Sequence, residues 1–301
     1  MIRAFRIPIL LLALMAAFSL PARAAAMPQG ELGAVLAPIA LYPDSLLTPL
    51  LMATTYPDEM IAADGWRQKT RNARLGGAAL AKALAMQPWA PSVKALVPFP
   101  VLLDMLATRP VWMQRIGQVF LGEPAASMRE IQRLRRAALA TGKLTSNRRL
   151  VVTEKRDAIL IAPPRKGPVY VPVYNAAVTF GAWGYPYYPP VYIQPPPGFH
   201  HSGAGMETGI GYSRGRTRVT GLWGWARLDW RRGAVTLDLA VYNRINRYAA
   251  ATKSAIWHHE PHPAGYFQIP ETASRDHRVA HRRHEERRRH HRETRRRHRR
   301  R

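Results

Sequence analysis

Proline recurs through residues 31–142, so no helix in that stretch can run long. Each one removes a backbone N–H and clashes with the turn before it, so it opens, kinks or ends a helix. Leu32, Val35, Leu36 and Ile39 follow the i, i+3, i+4, i+7 template, and Pro38 should end that helix near Ala37. Asp44 is expected to cap a second helix carrying Leu46, Leu47, Leu50 and Leu51, with Pro49 kinking it. Pro57 suits a first helical position, followed by Asp58 and Glu59 where the helix dipole favours acids. That helix includes Met60, Ile61 and Trp66 and should run to about Lys69. Residues 75–86 and 92–97 read as two more. Pro100 opens a helix with Val101, Leu102, Met105 and Leu106, and residues 111–120 form another with Trp112, Ile116 and Val119. Ser127-Met128-Arg129-Glu130 has the pattern of a capping box. It is expected to open a helix with Ile131, Leu134 and Ala138 on its apolar face. Arg129, Arg133 and Arg136 lie outward, and Gly142 provides the stop.

At Arg148 the period shortens. Residues 150–153 and 158–161 are β-type runs joined across Lys155-Arg156-Asp157, which predicts a hairpin. Residues 169–174 make a third strand that Pro172 pushes to an edge or a bulge. Ten of the 26 prolines fall between Pro163 and Pro197, among Tyr185, Tyr187, Tyr188 and Tyr192, so this stretch reads as polyproline II or extended loop. Residues 198–215 are glycine-rich and expected to be flexible. β-like runs return at 222–230 and 234–242 around Arg231-Arg232-Gly233. The fold class is therefore α+β: a multi-helix domain (31–142), short strands (148–174), a Pro/Tyr/Gly-rich linker (175–218), a β-rich or irregular segment (219–270) and a basic tail (275–301). The tail has no apolar residue beyond Val279 and Ala280 and is expected to be disordered.

The first 24 residues read as a secretory signal. Arg3 and Arg6 form a charged start, residues 7–20 are apolar or small, and Ala22-Arg23-Ala24 is an A-x-A-type cleavage site, with Ala24-Ala25-Ala26 as the alternative. No later stretch reaches roughly 18 uninterrupted apolar residues, so no further membrane helix is expected. The chain has no cysteine, which removes disulfides, thiolate metal sites and cysteine nucleophiles and leaves stability to packing. Of the net charge of +26, the tail contributes +10 through 14 Arg against Asp276, Glu285, Glu286 and Glu293; the signal contributes +3, leaving +13 on the rest. Such an excess attracts polyanions in a salt-dependent way. In the periplasm or at the outer membrane the expected partners are anionic envelope polymers or the membrane surface, with another envelope protein as a further candidate. Nucleic acid is not expected after export, although Arg214-Gly215-Arg216-Thr217-Arg218 has the composition of an Arg/Gly patch.

Several segments follow one another in a telling order. They are Leu36-Ala37-Pro38-Ile39-Ala40-Leu41-Tyr42-Pro43-Asp44, Met52-Ala53-Thr54-Thr55-Tyr56-Pro57 with Trp66, and Ser92-Val93-Lys94-Ala95-Leu96-Val97-Pro98-Phe99-Pro100. Tyr170-Val171-Pro172-Val173-Tyr174 and the Pro/Tyr stretch come next, then Tyr242-Asn243-Arg244-Ile245-Asn246-Arg247 and Trp257-His258-His259. Together they resemble the domain-of-unknown-function 3300 family, over residues 32–265. The resemblance implies an exported bacterial protein of undetermined activity and carries over no catalytic residues.

Five acids belong to the helical region: Asp44, Asp58, Glu59, Asp64 and Asp104. Converging in a cleft, two of them would suit acid/base cleavage of a glycan; singly, they cap helices and complement dipoles. His258, His259 and His262 are zinc or copper ligands by type, but Pro261 and Pro263 set them in a loop without the spacing of a helical or finger site. The tail histidines add charge below about pH 6.5. Arg282, Arg283, Arg287, Arg288 and Arg289 are the residues expected to meet polyanions. Trp223, Trp225, Tyr187 and Tyr188 are expected to stack on glycans or lipid headgroups, unless the aromatic segment is a linker wrapped over the helices. There is no P-loop, dinucleotide fingerprint, His-Glu-x-x-His or Gly-x-Ser-x-Gly, and no cofactor is expected. The expected function is that of a non-enzymatic envelope scaffold or binding protein. The alternative is a hydrolase or lyase acting on a cell-wall or surface polysaccharide.

Overall fold

The structure, a computed structural model, describes residues 27–165, 168–196, 209–212, 222–245 and 253–261. The signal segment, the tail with its five candidate arginines, and His262 lie outside the described residues. Among those described, nine helices come first: α1 (Gln29–Leu36), α2 (Asp44–Ala53), α3 (Pro57–Gln68), α4 (Thr70–Ala73), α5 (Gly77–Ala85), α6 (Pro91–Leu96), α7 (Pro100–Ala107), α8 (Pro110–Gly122) and α9 (Pro124–Ala140). Five of them carry proline in the first turn, where its missing N–H would have had no helical partner anyway. Proline thus cuts the apolar half into short rods and also starts them.

Helix α2 is the central rod. Leu46, Leu47, Leu50 and Leu51 are all sealed from solvent, and α6, α8 and two later strands surround it. Its apolar residues face every side, the pattern of a helix buried all round. It continues through Pro49 to Ala53. Each sealed leucine contributes roughly 1.5–3 kcal/mol relative to exposure.

Two expected helix starts are revised. The capping box at Ser127 does not form, because α9 begins a turn earlier at Pro124. The Ser127 N–H already donates to Glu123 O at 2.9 Å, and its hydroxyl reaches Val119 O at 3.2 Å. Glu130 pairs instead with Arg133 at 2.6 Å. Asp44 does not cap α2 either. Pro43 holds the cap position without a side-chain bond, and the Asp44 carboxylate turns inward. The far end of α9 closes as expected. Gly142 has φ +67, and the N–H groups of Gly142 and Lys143 donate to the Leu139 and Ala138 carbonyls at 2.9 Å, a Schellman stop.

After α9 come three antiparallel two-stranded sheets. Strands β1 (Val151–Glu154) and β2 (Ile159–Ala162) form the expected hairpin, Val151 opposite Ala162. Strand β3 (Val169–Pro172) is followed by the short α10 (Ala176–Thr179) and pairs with β4 (Gly209–Tyr212), Pro172 opposite Gly209. The glycine-rich stretch therefore contributes a strand where flexibility was expected; Tyr212 anchors it against Phe99 at 4.9 Å, its hydroxyl accepting from Val101 N–H. Strands β5 (Ala226–Asp229) and β6 (Ala234–Leu237) make the third sheet. The run expected to stay extended to residue 242 ends at Leu237. Asp238 then caps α11 (Leu239–Ile245), accepting the Val241 N–H at 3.2 Å. Beyond it, residues 255–257 run beside β6, joined by Leu237 N–H to Ala255 O and Trp257 N–H to Val235 O. Two-stranded sheets have little stability alone, so each of these leans on the helices.

The Pro/Tyr stretch lies over the helical domain in its described part. Val191 N–H donates to Ala34 O on α1, and the Arg133 guanidinium of α9 sits over the Tyr185 ring at 5.8 Å. Trp183 donates its indole N–H to Tyr188 O at 2.7 Å, which holds the turn.

Candidate functional site

The polar centre of the molecule is Arg135, which is fully buried. The loop between α1 and α2 lies between Pro38 and Pro43, and its carbonyls have no strand or helix to receive them. Buried carbonyls need donors, and Arg135 supplies them: Nε to Ala40 O at 2.9 Å, Nη2 to Tyr42 O at 3.0 Å. Nη1 donates to Ile159 O at 2.7 Å and lies 2.7 Å from Asp44 Oδ1. Burial pushes the Asp44 carboxyl above the ordinary range, against the pull of the Arg135 charge and of the polar groups of the Trp230 side chain and the Ile161 backbone. The Arg135 guanidinium stands 4.8 Å from the centre of the Trp230 ring. Tyr174 completes the centre, donating to Ala37 O at 2.6 Å and accepting from Leu41 N–H at 3.3 Å. One ion pair thus ties the loop, the first hairpin through Ile159 and Ile161, and the third sheet through Trp230.

Above this centre an open groove of about 610 Å³ runs between the first hairpin and the β5–β6 hairpin. Lys155 and Arg156 come from one turn, and Arg227 and Arg231 from the other hairpin; all four are exposed. The groove's carboxylates are Asp157 and Asp229. Asp229 is engaged in its own turn, accepting from Arg232 N–H at 3.0 Å with the Arg232 side chain 3.7 Å away. The groove therefore keeps an excess of cations over a floor that includes Leu160, Leu228 and Trp230.

The other acids of the helical region divide. Glu59 is buried and accepts the Ala90 N–H at 2.6 Å; burial raises its carboxyl to about 8, opposed by that bond and by Lys94. Its role goes beyond the helix dipole expected of it. Asp64 is buried and accepts from Gln68 at 2.6 Å; burial and the charge of exposed Asp104 raise it to about 7. Asp44, Glu59 and Asp64 thus each have a different protein partner; Asp104 acts on Asp64, and Asp58 on its neighbour Glu59.

Of the aromatic candidates, Trp225 is 2% exposed and donates its indole N–H to Leu222 O at 2.7 Å, so its ring belongs to the core. Trp223 is half-buried beside Phe99 at 5.0 Å. Tyr187 stands out at 92% exposure, and Tyr188 at 37%. His259 is set against Tyr56 at 4.6 Å with Nδ1 3.1 Å from the Thr55 hydroxyl, and burial lowers its pKa. Among the described residues no three His, Asp or Glu side chains gather as a metal would require. Arg135 and the groove cations are not among the residues expected to carry function. Arg135 had a signal, since Ile131, Leu134, Arg135 and Ala138 complete an i, i+3, i+4, i+7 stripe, which places a cation on the core face. The groove had none, because its two hairpins are about 70 residues apart in the chain and meet only in the fold.

This is an α+β protein in which two of the short sheets meet the helical domain at an ion pair with a buried arginine, with a cationic groove between them. The chain belongs to the family described as "Protein of unknown function (DUF3300)", whose model matches residues 28–290. That family is one of exported bacterial proteins. The chain is similar to the uncharacterized protein YacH of Escherichia coli (strain K12), 31% identical over 287 residues that cover 75% of this chain and 46% of YacH. It thus spans about half the length of that relative. No solved structure matches. Among the described residues no helix is long and apolar enough to cross a membrane.

Proposed function

We propose that the protein is a non-enzymatic binding protein or scaffold of the bacterial cell envelope, in the periplasm or at the outer membrane, that holds anionic polymers. The observation that carries this reading is the convergence of Lys155, Arg156, Arg227 and Arg231 on one groove. Exposed cations of one sign over a concave surface attract polyanions, and the attraction weakens as salt screens it. Arg282, Arg283, Arg287, Arg288 and Arg289 add a second, less specific source of the same attraction. The test is co-sedimentation of the protein with its own envelope fraction at two salt concentrations. The expected result is binding at low salt that falls at high salt, weakens when residues 275–301 are removed, and weakens further with Arg227→Glu and Arg231→Glu. Binding that ignores salt and both changes overturns the reading.

The second reading, a hydrolase or lyase acting on a cell-wall or surface polysaccharide, rests on Asp64, raised to about 7 beside Asp104. A carboxyl held in that range suits a general acid. It requires release of glycan fragments that Asp64→Asn abolishes.

A further inference from the structure

Trp230 is placed with more care than a charge-only surface requires. It follows directly on β5, half-buried, in a groove whose rim is cationic. Its ring is set over the Arg135 guanidinium at 4.8 Å, and its side chain acts on the Asp44 carboxylate. Both partners belong to the ion pair beneath, whose arginine is buried. A buried ion pair is poor value as stabilisation, since apolar residues of similar volume often do as well or better. What it does here is fix one ring in one orientation at the floor of an open groove.

Resting on the polyanion reading above, we propose that the groove's ligand is an acidic glycan. A sugar ring lies against the Trp230 indole and the neighbouring Leu160 and Leu228, while its carboxylate or phosphate substituents meet Arg156, Arg227 and Arg231. Aromatic faces match the C–H face of a pyranose, and guanidinium forks match carboxylate and phosphate oxygens in pairs. A polyanion without rings uses the rim and leaves the floor unmatched. A bilayer surface calls for apolar side chains standing out beyond the cations, whereas here Leu160, Leu228 and Trp230 are partly buried and the four cations are exposed. The ring is oriented before the ligand arrives, so binding loses little freedom in ordering it.

The experiment compares the full chain with Trp230→Leu, Trp230→Phe and the Arg227→Glu/Arg231→Glu double variant. The probes are polygalacturonate (acidic, with rings), polyphosphate (acidic, without rings) and phosphatidylglycerol vesicles. The expected result is that Trp230→Leu weakens polygalacturonate about tenfold, the scale of one stacking contact, and changes polyphosphate less than twofold. Trp230→Phe, which keeps a ring, should lose no more than about threefold on that scale. Since Trp230 also touches Asp44, a readout on the unsubstituted chain stands beside the variants. The indole signal missing from Trp230→Phe should shift with polygalacturonate and stay put with polyphosphate. Equal losses for both polymers in Trp230→Leu, or an unmoved indole signal, overturn the glycan proposal while leaving polyanion binding intact. Trp230-dependent binding of vesicles without polygalacturonate binding also overturns it, in favour of a lipid surface. If the double arginine variant binds both polymers as well as the full chain does, the reading that the groove holds polyanions fails instead, and the attraction belongs to the tail.

Discussion

The helical half and the hairpins of this molecule share one apolar core but differ in how much directional bonding they add to it. Helices α1–α9 bury continuous apolar faces against one another, and Leu36, Leu46, Leu50, Phe99 and Ile131 are all sealed. The hairpins are each two strands thick, with one face to the helices and the other to water; β1 is largely exposed along its length. Their inner faces join the same apolar core through Ile159, Ile161 and Val235, but directional contacts are added: Arg135 to Ile159, Gln132 to both the N–H and the carbonyl of Ile159, and the Arg135 guanidinium against the Trp230 ring. Apolar burial packs rods and hairpins alike; hydrogen bonds and one ion pair fix how the hairpins are oriented. Since the groove lies between two hairpins, its shape depends on both kinds of force.

The sharpest way to break this contrast is Arg135→Met. It leaves the Ala40 and Tyr42 carbonyls without their side-chain donor, the Ile159 carbonyl with Gln132 alone and the Asp44 carboxylate without its ion-pair partner, an expected loss of about 3–5 kcal/mol. Thermal melts give the total, and hydrogen exchange should show the amides of β2 opening before those of α2. Uniform opening would mean the two regions share one source of stability.

Gly117→Ala probes the helical half alone. A Cβ on Gly117 would overlap the Thr54 carbonyl oxygen, a backbone atom that cannot swing aside. The expected cost is about 1–3 kcal/mol, measured in denaturant, with the groove's polymer binding per folded molecule unchanged.

The pH dependence should also belong to the helices. Glu59 is raised by burial from 4.5 to about 8, and Asp64 from 3.8 to about 7. The folded chain then holds more protons than the unfolded one, so this stability is complete below the unfolded values and is lost as pH rises through the folded ones. Unfolding free energy should therefore fall between pH 5 and 8, by an amount on the order of 5 kcal/mol. Glu59→Gln should flatten that slope; a slope that persists in both Glu59→Gln and Asp64→Asn would assign it elsewhere.

Tyr174→Phe removes the hydroxyl that bridges Ala37 O and Leu41 N–H, with an expected cost of about 1 kcal/mol. The smallest effect is expected from Arg227→Ala, an exposed cation of the groove: within about 0.5 kcal/mol in stability, against a clear loss in polyanion binding. A large fall in melting temperature would show that groove residues support the fold as well as the ligand.

Much of the helical half was legible residue by residue. Pro57 and Pro100 open α3 and α7, Pro38 closes α1 at Leu36, and Gly142 ends α9, because each acts through its own backbone over a single turn. The misreadings fall where a local signal met a stronger neighbour. Ser127 lost its cap to Pro124 three residues earlier, and Asp44 lost its cap to Arg135, 91 positions away in the chain. The candidate site was less legible. Trp225, chosen for its aromatic surface, lies in the core, while Trp230, an indole of the same composition, lines the groove; nothing in the local pattern separates the two.

Local chemistry settled the rods, most of their ends, the first hairpin and the cationic character of the chain, since backbone restriction, apolar period and formal charge are properties of short stretches. The tertiary fold alone settled which arginine is buried, which tryptophan is presented, and that Lys155 and Arg156 face Arg227 and Arg231. The physical reason is that an ion pair, a stacked ring and a groove wall each need partners far apart in the chain, and no short window contains both members of any such pair.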